Sequence, residues 1–305
     1  MARAAALALS TAPAASGTGL REDALAIPAR DGVQLAATCF APETPQADAP
    51  LVLVQPAAAV PRKIYAPFAR FLAARGAIVL TYDYRGIGGS RPNSLRGFRA
   101  RMRDWAALDA AGVADHALAA FPGRRLLGVG HSFGGQAFII EPGNERFARL
   151  LMIAAQAGYW RLLAPHERGR VYAMLKLAIP AIGAVFGYVP GKRLGLGEDL
   201  PLGVFMEWRR WVLSPRYYYD DASLDLLANA ATLTAPVLAV GTADDPWATP
   251  PAIDLLVSGI GNAPVERRTI APAEAGVDKL GHFDLFRADH QKTIWPRLTD
   301  WLLQE

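Results

Sequence analysis

The sequence has a single cysteine, Cys39, among its 305 residues, so no disulfide bond can form within the chain. Cys39 lies in an apolar run, and we expect it to be a small buried side chain. With no oxidising compartment indicated, a cytoplasmic location is expected. The sequence also lacks a cysteine and histidine cluster with metal-ligand spacing, and residues 187–192 lack the spacing of a phosphate-binding loop. No metal and no cofactor are therefore implied.

Neither sign of charge is in large excess. The chain has 32 Lys and Arg against 28 Asp and Glu, a formal net charge of +4. Five arginines gather between Arg91 and Arg103, and we expect them on a solvated surface, with a phosphate or acidic-substrate site as the alternative. No nucleic-acid motif accompanies them. The 52% hydrophobic content is typical of a globular chain with a large core and excludes a disordered one.

Long hydrophobic runs are scarce, and two stretches are candidates for a targeting or membrane segment. The N-terminal apolar region is short and mostly alanine, so we predict a disordered extension over residues 1–19, with a signal peptide as the alternative. Residues 171–190 are long enough to span a bilayer, but they contain Lys176, Pro180 and Gly183 in the middle of the chain. We interpret them as an apolar helix of a lid and expect no stable membrane span.

Short apolar strands alternate with helical patterns along most of the chain. The first two strand-like runs, 24–29 and 33–40, are joined by Asp31-Gly32, which is typical of a hairpin. Further apolar runs lie at residues 51–54, 77–82, 126–129, 150–155 and 236–240, and residues 265–270 are predicted as the last strand. Because these runs lack polar alternation, they predict an α/β fold with a mainly parallel central sheet and helices on both faces.

The strand pattern is interrupted between residues 159 and 231. This region is rich in aromatic residues, glycine and proline, and it predicts a mostly helical insertion. The remaining segments, 20–158 and 232–305, would form one α/β core. An apolar, aromatic insertion over the sheet would act as a lid that excludes water and contacts the apolar part of a substrate.

A glycine-rich turn follows the apolar run at residues 126–129. Gly130-His131-Ser132-Phe133-Gly134 fits the Gly-x-Ser-x-Gly pattern of a nucleophile elbow, in which a serine lies at a sharp turn between strand and helix. Gly130 and Gly134 would let strand and helix cross closely. A glycine-rich crossover without catalytic function is the alternative. In a parallel sheet, Ser132 would lie at the carboxyl end of its strand, where ligands bind.

A serine nucleophile needs an imidazole to take its proton and a carboxylate to orient that imidazole. In this architecture the chain order is nucleophile, acid, histidine, so only His282 and His290 qualify. His282 follows the last predicted strand and is preferred, whereas His290 is expected on the surface. His131, on the elbow itself, would point away from Ser132 and serve packing or hydrogen bonding.

Two aspartates follow the strand at residues 236–240. We prefer Asp244 as the acid, with Asp245 as the alternative and an Asp-Pro turn as the non-catalytic interpretation. The oxyanion would be held by the N–H of Phe133 and by a donor from the loop after residues 51–54, for which we expect Ala58.

Together, the elbow, the segment 83–90, Asp244 and Gly281-His282 resemble the α/β-hydrolase superfamily from about Leu20 to the C-terminus. More narrowly, residues 187–193 and 281–283 are similar to uncharacterised bacterial hydrolases near the serine-aminopeptidase-like and monoacylglycerol-lipase-like families. The superfamily commonly has His-Gly where this chain has Pro56-Ala57. The resemblance implies the fold and a Ser-His-Asp triad.

The expected activity is therefore that of a serine hydrolase acting on an ester or related acyl bond of a small, partly hydrophobic molecule. Thioesterase, amidase and peptidase activities stay open. A hydrolase-like binding protein with negligible turnover is the alternative from another class, although a pure binding protein has no need of a serine, a histidine and an aspartate in this order.

Overall fold

Eight strands form one central sheet in the computed structural model, which describes residues 19–304. The predicted extension over residues 1–19 lies almost entirely outside the described residues. The strands are β1 (Leu20–Pro28), β2 (Gln34–Pro42), β3 (Leu51–Gln55), β4 (Ile78–Tyr82), β5 (Leu126–His131), β6 (Phe147–Ile153), β7 (Tyr188–Val189), β8 (Leu200–Pro201), β9 (Val237–Thr242) and β10 (Val265–Ile270). The large sheet has the order β1-β2-β4-β3-β5-β6-β9-β10, and β7 pairs with β8 separately.

The sheet is antiparallel at one edge and parallel elsewhere. The hairpin of β1 and β2 pairs antiparallel, and β2 is also antiparallel to β4. From β4 to β10 every neighbouring pair is parallel. Every residue of β3, β4, β5 and β9 is buried, as expected for strands covered on both faces. The predicted α/β fold with a mainly parallel sheet is confirmed.

The helices cover both faces of this sheet. They are α1 (Ala66–Ala74), α2 (Met102–Asp104), α3 (Ala111–Ala120), α4 (Phe133–Ile140), α5 (Pro165–Ala173), α6 (Ile179–Phe186), α7 (Gly191–Leu194), α8 (Leu202–Val212), α9 (Leu226–Thr232), α10 (Pro250–Val257) and α11 (Trp295–Leu303). Two π-helical segments, Trp105–Ala110 and Met174–Ala178, join α2 to α3 and α5 to α6. Short 3₁₀ helices lie at Arg62–Tyr65, Gly88–Ser90, Asn144–Arg146, Trp160–Leu162, Tyr217–Asp220, Pro272–Ala275, Asp284–Phe286 and Ala288–Lys292.

Two hydrophobic clusters, one on each face of the sheet, form the core. On one face α1 and α11 pack against the strands, with Phe68 and Trp295 among the fully buried side chains. On the other face the residues of α3 and α4 pack around Trp105 and Phe138. Because β3, β5, β6 and β9 are parallel neighbours, their carboxyl ends lie together at one edge of the sheet.

The segment between β6 and β9 contains α5 to α9 and the small β7-β8 sheet. Its longest element is a continuous 22-residue helix, Pro165–Phe186, made of α5, a π-helical segment and α6. We call it the insertion helix. It begins with proline at its first position and ends at Gly187, whose φ of 76° is the left-handed conformation typical of a helix C-terminus. That the segment acts as a lid stays a prediction.

The insertion helix is also the one helix among residues 19–304 that is long and apolar enough to cross a membrane by length and composition alone. Its most apolar window has a mean hydropathy of 1.4, and 17% of that window is buried. A π-helical turn precedes Pro180, which has no N–H to donate to a carbonyl one turn earlier. Because so little of this window is buried, the helix lies largely on the surface of the molecule.

Candidate active site

The elbow predicted around Ser132 is present. Ser132 lies between the end of β5 and the start of α4, with φ 51° and ψ −113°, a combination that a residue with a side chain rarely adopts. A Cβ placed on Gly134 would lie 2.0 Å from the carbonyl oxygen of Gln55, and one on Gly130 would lie 2.6 Å from the carbonyl carbon of Gly134. Both glycines are thus required by the close crossing of strand and helix.

His282 lies in the loop after β10, and its imidazole has a buried carboxylate partner. Its Nδ1 is 2.6 Å from Oδ2 of Asp245, and both side chains are almost inaccessible to solvent. Because a carboxylate can only accept, Nδ1 carries the proton and Nε2 is left as the unprotonated, basic nitrogen. Ser132 and His282 line the same cavity. Within the described residues, neither the Ser132 hydroxyl nor Nε2 of His282 is engaged by another side chain.

The Asp245 carboxylate is held from both sides. Its Oδ1 accepts hydrogen bonds from the N–H groups of Trp247, at 2.8 Å, and Ala248, at 3.0 Å. Burial raises the pKa of the Asp245 carboxyl, but the hydrogen bonds from His282 and from these two N–H groups outweigh burial and bring the pKa below its ordinary value. Asp245 is therefore ionised near neutral pH.

The preference for Asp244 as the partner of His282 is wrong. Asp244 instead accepts hydrogen bonds from the N–H groups of Leu280, at 2.9 Å, and Gly281, at 3.1 Å. Both carboxylates accept hydrogen bonds from the loop that contains His282, but only the carboxylate of Asp245 reaches the imidazole. Asp244 fixes the backbone just before His282, and Asp245 fixes its ring.

A chain of buried hydrogen bonds joins three loops around the elbow. The hydroxyl of Tyr65 accepts from the N–H of Ala57 and lies 2.8 Å from Nδ1 of His131, while Nε2 of His131 lies 2.9 Å from the carbonyl oxygen of His282. That carbonyl can only accept, so Nε2 of His131 carries the proton and Nδ1 accepts from Tyr65. Burial and the nearby His282 lower the pKa of His131 to about 3. His131 is thus neutral, and it serves hydrogen bonding as expected.

The two expected oxyanion donors lie on the same cavity. Ala58 and Phe133 both line it, and Phe133 is the first residue of α4, where backbone N–H groups have no acceptor within the helix. The N–H of Ala57 is taken by Tyr65. Within the described residues the N–H of Ala58 makes no hydrogen bond, which leaves it available. The roles of Ala58 and Phe133 stay predictions.

The cavity has a volume of about 480 Å³, within the range of small-molecule sites. Its polar and charged lining residues are Ser132, Gln136, Gln156, Arg170, Glu198, Tyr217 and His282. The segment between β6 and β9 supplies the opposite, mainly apolar wall, which includes Val171, Met174, Leu175, Ile179, Leu196, Val204, Phe205 and Trp208. The N–H of Glu198 also donates to the carbonyl oxygen of Ala59, at 2.9 Å. The segment therefore closes over the loop that carries Ala58.

Some residues near the site were not predicted from the sequence. Tyr65 was missed because its partners lie 8 and 66 residues away, and no local pattern marks it. His290 was expected on the surface but is buried at 2% exposure beneath the last helix, because residues 288–292 form a 3₁₀ helix packed on the core. Among residues 19–304, no group of three histidine, cysteine or carboxylate side chains is placed to hold a metal.

This fold, with a serine at the strand-to-helix turn and a hydrogen-bonded histidine–aspartate pair at the same cavity, is typical of a class of hydrolases. The model of the alpha/beta hydrolase family matches residues 51–294, which is well over half of the sequence. The chain therefore belongs to the alpha/beta hydrolase family. No curated protein matches its sequence.

Solved structures with the same fold share little sequence with this chain. The structure of DcsB in complex with its substrate analogue has 14% identity and a TM-score of 0.60, over 92% of this chain and 99% of that one. The Pyrococcus furiosus esterase Pf2001 has 13% identity and a TM-score of 0.58, over 96% and 95%. The thioesterase domain from the curacin biosynthetic pathway has 14% identity and a TM-score of 0.53, over 93% and 99%. At such identities the likeness concerns the fold alone.

Proposed function

We propose that the protein is a serine hydrolase that cleaves an ester or related acyl bond of a small molecule with a hydrophobic acyl or alkyl part. The observation that carries this proposal is the buried pair of Asp245 and His282, whose free Nε2 shares one cavity with Ser132 at the elbow. Two of the similar structures, an esterase and a thioesterase domain, belong to proteins whose named chemistry is acyl transfer of the same kind.

In the proposed reaction, Ser132 attacks the carbonyl carbon while Nε2 of His282 takes the hydroxyl proton. The negative charge that develops on the carbonyl oxygen is stabilised by the N–H groups of Phe133 and Ala58. His282 then donates its proton to the departing alcohol or thiol, which leaves an acyl group on Ser132. A water molecule, deprotonated by His282, then attacks the acyl carbon. The acid leaves as the bond to Ser132 breaks, and His282 returns the proton to the Ser132 oxygen. Throughout, Asp245 stabilises the protonated imidazole and keeps it oriented.

The apolar wall of the cavity supports a hydrophobic substrate. Side chains such as Met174, Ile179 and Trp208 face the cavity opposite Ser132, and burying a methylene group against them contributes about 0.8 kcal/mol. The segment between β6 and β9 would act as a lid that excludes water from the acyl-enzyme. A small-molecule substrate and a cytoplasmic location complete the proposal.

The experiment is hydrolysis of p-nitrophenyl esters of increasing chain length by the purified protein, beside the variant Ser132→Ala. We expect the wild type to turn over esters with an optimum at medium or long chains, and the variant to lose at least about 10⁴-fold in kcat/KM. A folded wild type that binds apolar esters without hydrolysing any of them would instead favour a binding protein built on this fold.

A further inference from the structure

The outer face of the insertion helix is apolar and exposed. Leu177 is 73% exposed and Val185 is 70% exposed, the largest values among the large apolar side chains whose exposure the structure describes. Tyr172, Ala173, Ala181 and Ala184 are also exposed along this face. An apolar face of this extent is unusual on a protein surface unless it meets a partner. We call it the outer apolar face, defined by residues 172, 173, 177, 181, 184 and 185.

The opposite side of the same helix is held on the enzyme. Leu175 and Ile179 are buried in the core and line the cavity, and the side chain of Arg209 donates a hydrogen bond to the carbonyl oxygen of Leu175 at 2.6 Å. A span across a bilayer would pull this side of the helix away from the cavity. The geometry therefore suits a helix that lies parallel to a surface with one side immersed.

The unpaired charges of this segment have one sign. From Arg168 to Gly197 the chain has five basic residues and no Asp or Glu. Lys176 is exposed next to Leu177 and has no ion pair within the described residues, and Arg193, which lies over the ring of Phe186, has none either. The nearest carboxylates of this region, Glu167 and Glu198, are paired with Arg170 and Lys192. The face is thus apolar at its centre and cationic around it.

Several residues that line the cavity are exposed, and one of them lies on the insertion helix. Arg170, one turn before Met174, is exposed and lines the cavity, and so do Leu196 and Phe283, which are 38% and 42% exposed. A protein docked through the insertion helix would therefore hold the Arg170 side of the cavity near the lipid layer.

We propose that the outer apolar face docks the protein on the surface of an anionic lipid bilayer, with the insertion helix in the interface plane. Apolar side chains would enter the boundary between headgroups and acyl chains, and Lys176 and Arg193 would pair with lipid phosphates, each basic residue contributing attraction that falls off within a Debye length. Docking is a separate property from the proposed catalysis, since it does not involve Ser132.

The test is co-sedimentation of the full chain, carrying Ser132→Ala, with vesicles of phosphatidylcholine mixed with phosphatidylglycerol, and with vesicles of phosphatidylcholine alone. We expect binding to the mixed vesicles, weaker binding to phosphatidylcholine alone, and a loss of binding at high salt. The double variant Leu177→Asp and Val185→Asp should partition at least about tenfold more weakly. In the protein with Ser132 intact, the same two changes should leave hydrolysis of a soluble short-chain ester unchanged.

The matched control places the same two charges elsewhere. Ala74→Asp and Ala119→Asp lie at exposed positions near the ends of α1 and α3, helices that lead into parallel strands and so end at the edge of the sheet opposite the site. This variant should bind vesicles like the parent. Equal loss in both double variants, or a parent that stays in the supernatant with every vesicle, would overturn the proposal. So would a dimer that Leu177→Asp and Val185→Asp converts to a monomer, because the face would then be a contact between copies of this chain.

Discussion

The elbow and the exposed side of the insertion helix are built in opposite ways. The elbow that carries Ser132 is fixed by backbone contacts so close that a methyl group on Gly134 would meet the oxygen of Gln55 at 2.0 Å. On the exposed side of the insertion helix, by contrast, a methyl group on Gly169 would meet nothing within 4 Å, and large apolar side chains are exposed to solvent. The elbow holds Ser132 in a fixed position, whereas the exposed side of the helix has room for a larger side chain.

The largest expected effect concerns the carboxylate that orients His282. Asp245→Asn should lower kcat by about 10⁴-fold, because an amide facing Nδ1 favours the wrong tautomer and cannot stabilise the protonated imidazole. Asp244→Asn is the matched control. It retains one acceptor oxygen for the N–H groups of Leu280 and Gly281 and should cost about tenfold or less. Steady-state kinetics on one soluble ester measures kcat for both variants. A larger loss of kcat in Asp244→Asn than in Asp245→Asn would reassign the role of the acid to Asp244.

The close crossing at the elbow predicts a difference in stability between two alanine substitutions. Gly134→Ala should lower the free energy of unfolding by about 3 kcal/mol, because the backbone of β3 or α4 must shift to admit the methyl group. Gly169→Ala should raise it by roughly 0.5–1 kcal/mol, as is usual at an open helix position. Urea denaturation measures both. Similar values for the two variants would mean that the elbow is not as tightly packed as described.

Removing a tyrosine hydroxyl should also affect the two regions differently, with a smaller change in stability. Tyr65→Phe leaves the buried N–H of Ala57 and the Nδ1 of His131 without their partner, which should cost roughly 2 kcal/mol of stability. It should also lower kcat more than it raises KM, since Ala57 precedes the expected oxyanion donor. Tyr172→Phe on the insertion helix should change stability by less than about 0.5 kcal/mol. A Tyr65→Phe enzyme with wild-type kcat would leave the hydroxyl with a structural role alone.

The last expected effect, at most about 1.4 kcal/mol for each pH unit, is a change in how stability depends on pH. The pKa of His131 falls from 6.5 to about 3 on folding. Between these two values the unfolded chain binds the proton and the folded protein does not, so stability decreases as the pH falls. His131→Gln should flatten the pH dependence below about pH 6.5. Equal slopes in the wild type and the variant would contradict a neutral, buried His131.

The sequence was sufficient for the sheet and for the strand-to-helix turn at Ser132, because both depend on local patterns. Apolar runs without polar alternation located the buried strands, and the glycines around Ser132 located the turn. The acid could not be chosen in the same way. Asp244 and Asp245 are adjacent, and the conformation of one turn decides which carboxylate faces the imidazole and which faces the N–H groups of Leu280 and Gly281.

The series of hydrogen bonds that joins Ala57, Tyr65, His131 and His282 could not be predicted from the sequence. His131 and His282 are 151 residues apart, and their contact exists only after β3, β5 and the loop after β10 have assembled at one edge of the sheet. The burial of His290 has the same origin, since the packing of the last helix, rather than any local pattern, removes it from solvent. Long-range packing therefore decided what the local patterns left open.

The most direct measurement of the central claim is covalent labelling with a fluorophosphonate, followed by mass spectrometry of the intact protein and of its peptides. The account predicts one adduct, on the peptide that contains Ser132, no adduct in Ser132→Ala, and much slower labelling in His282→Ala. Labelling of a different residue, or equal labelling of the wild type and Ser132→Ala, would contradict the assignment of Ser132 as the nucleophile.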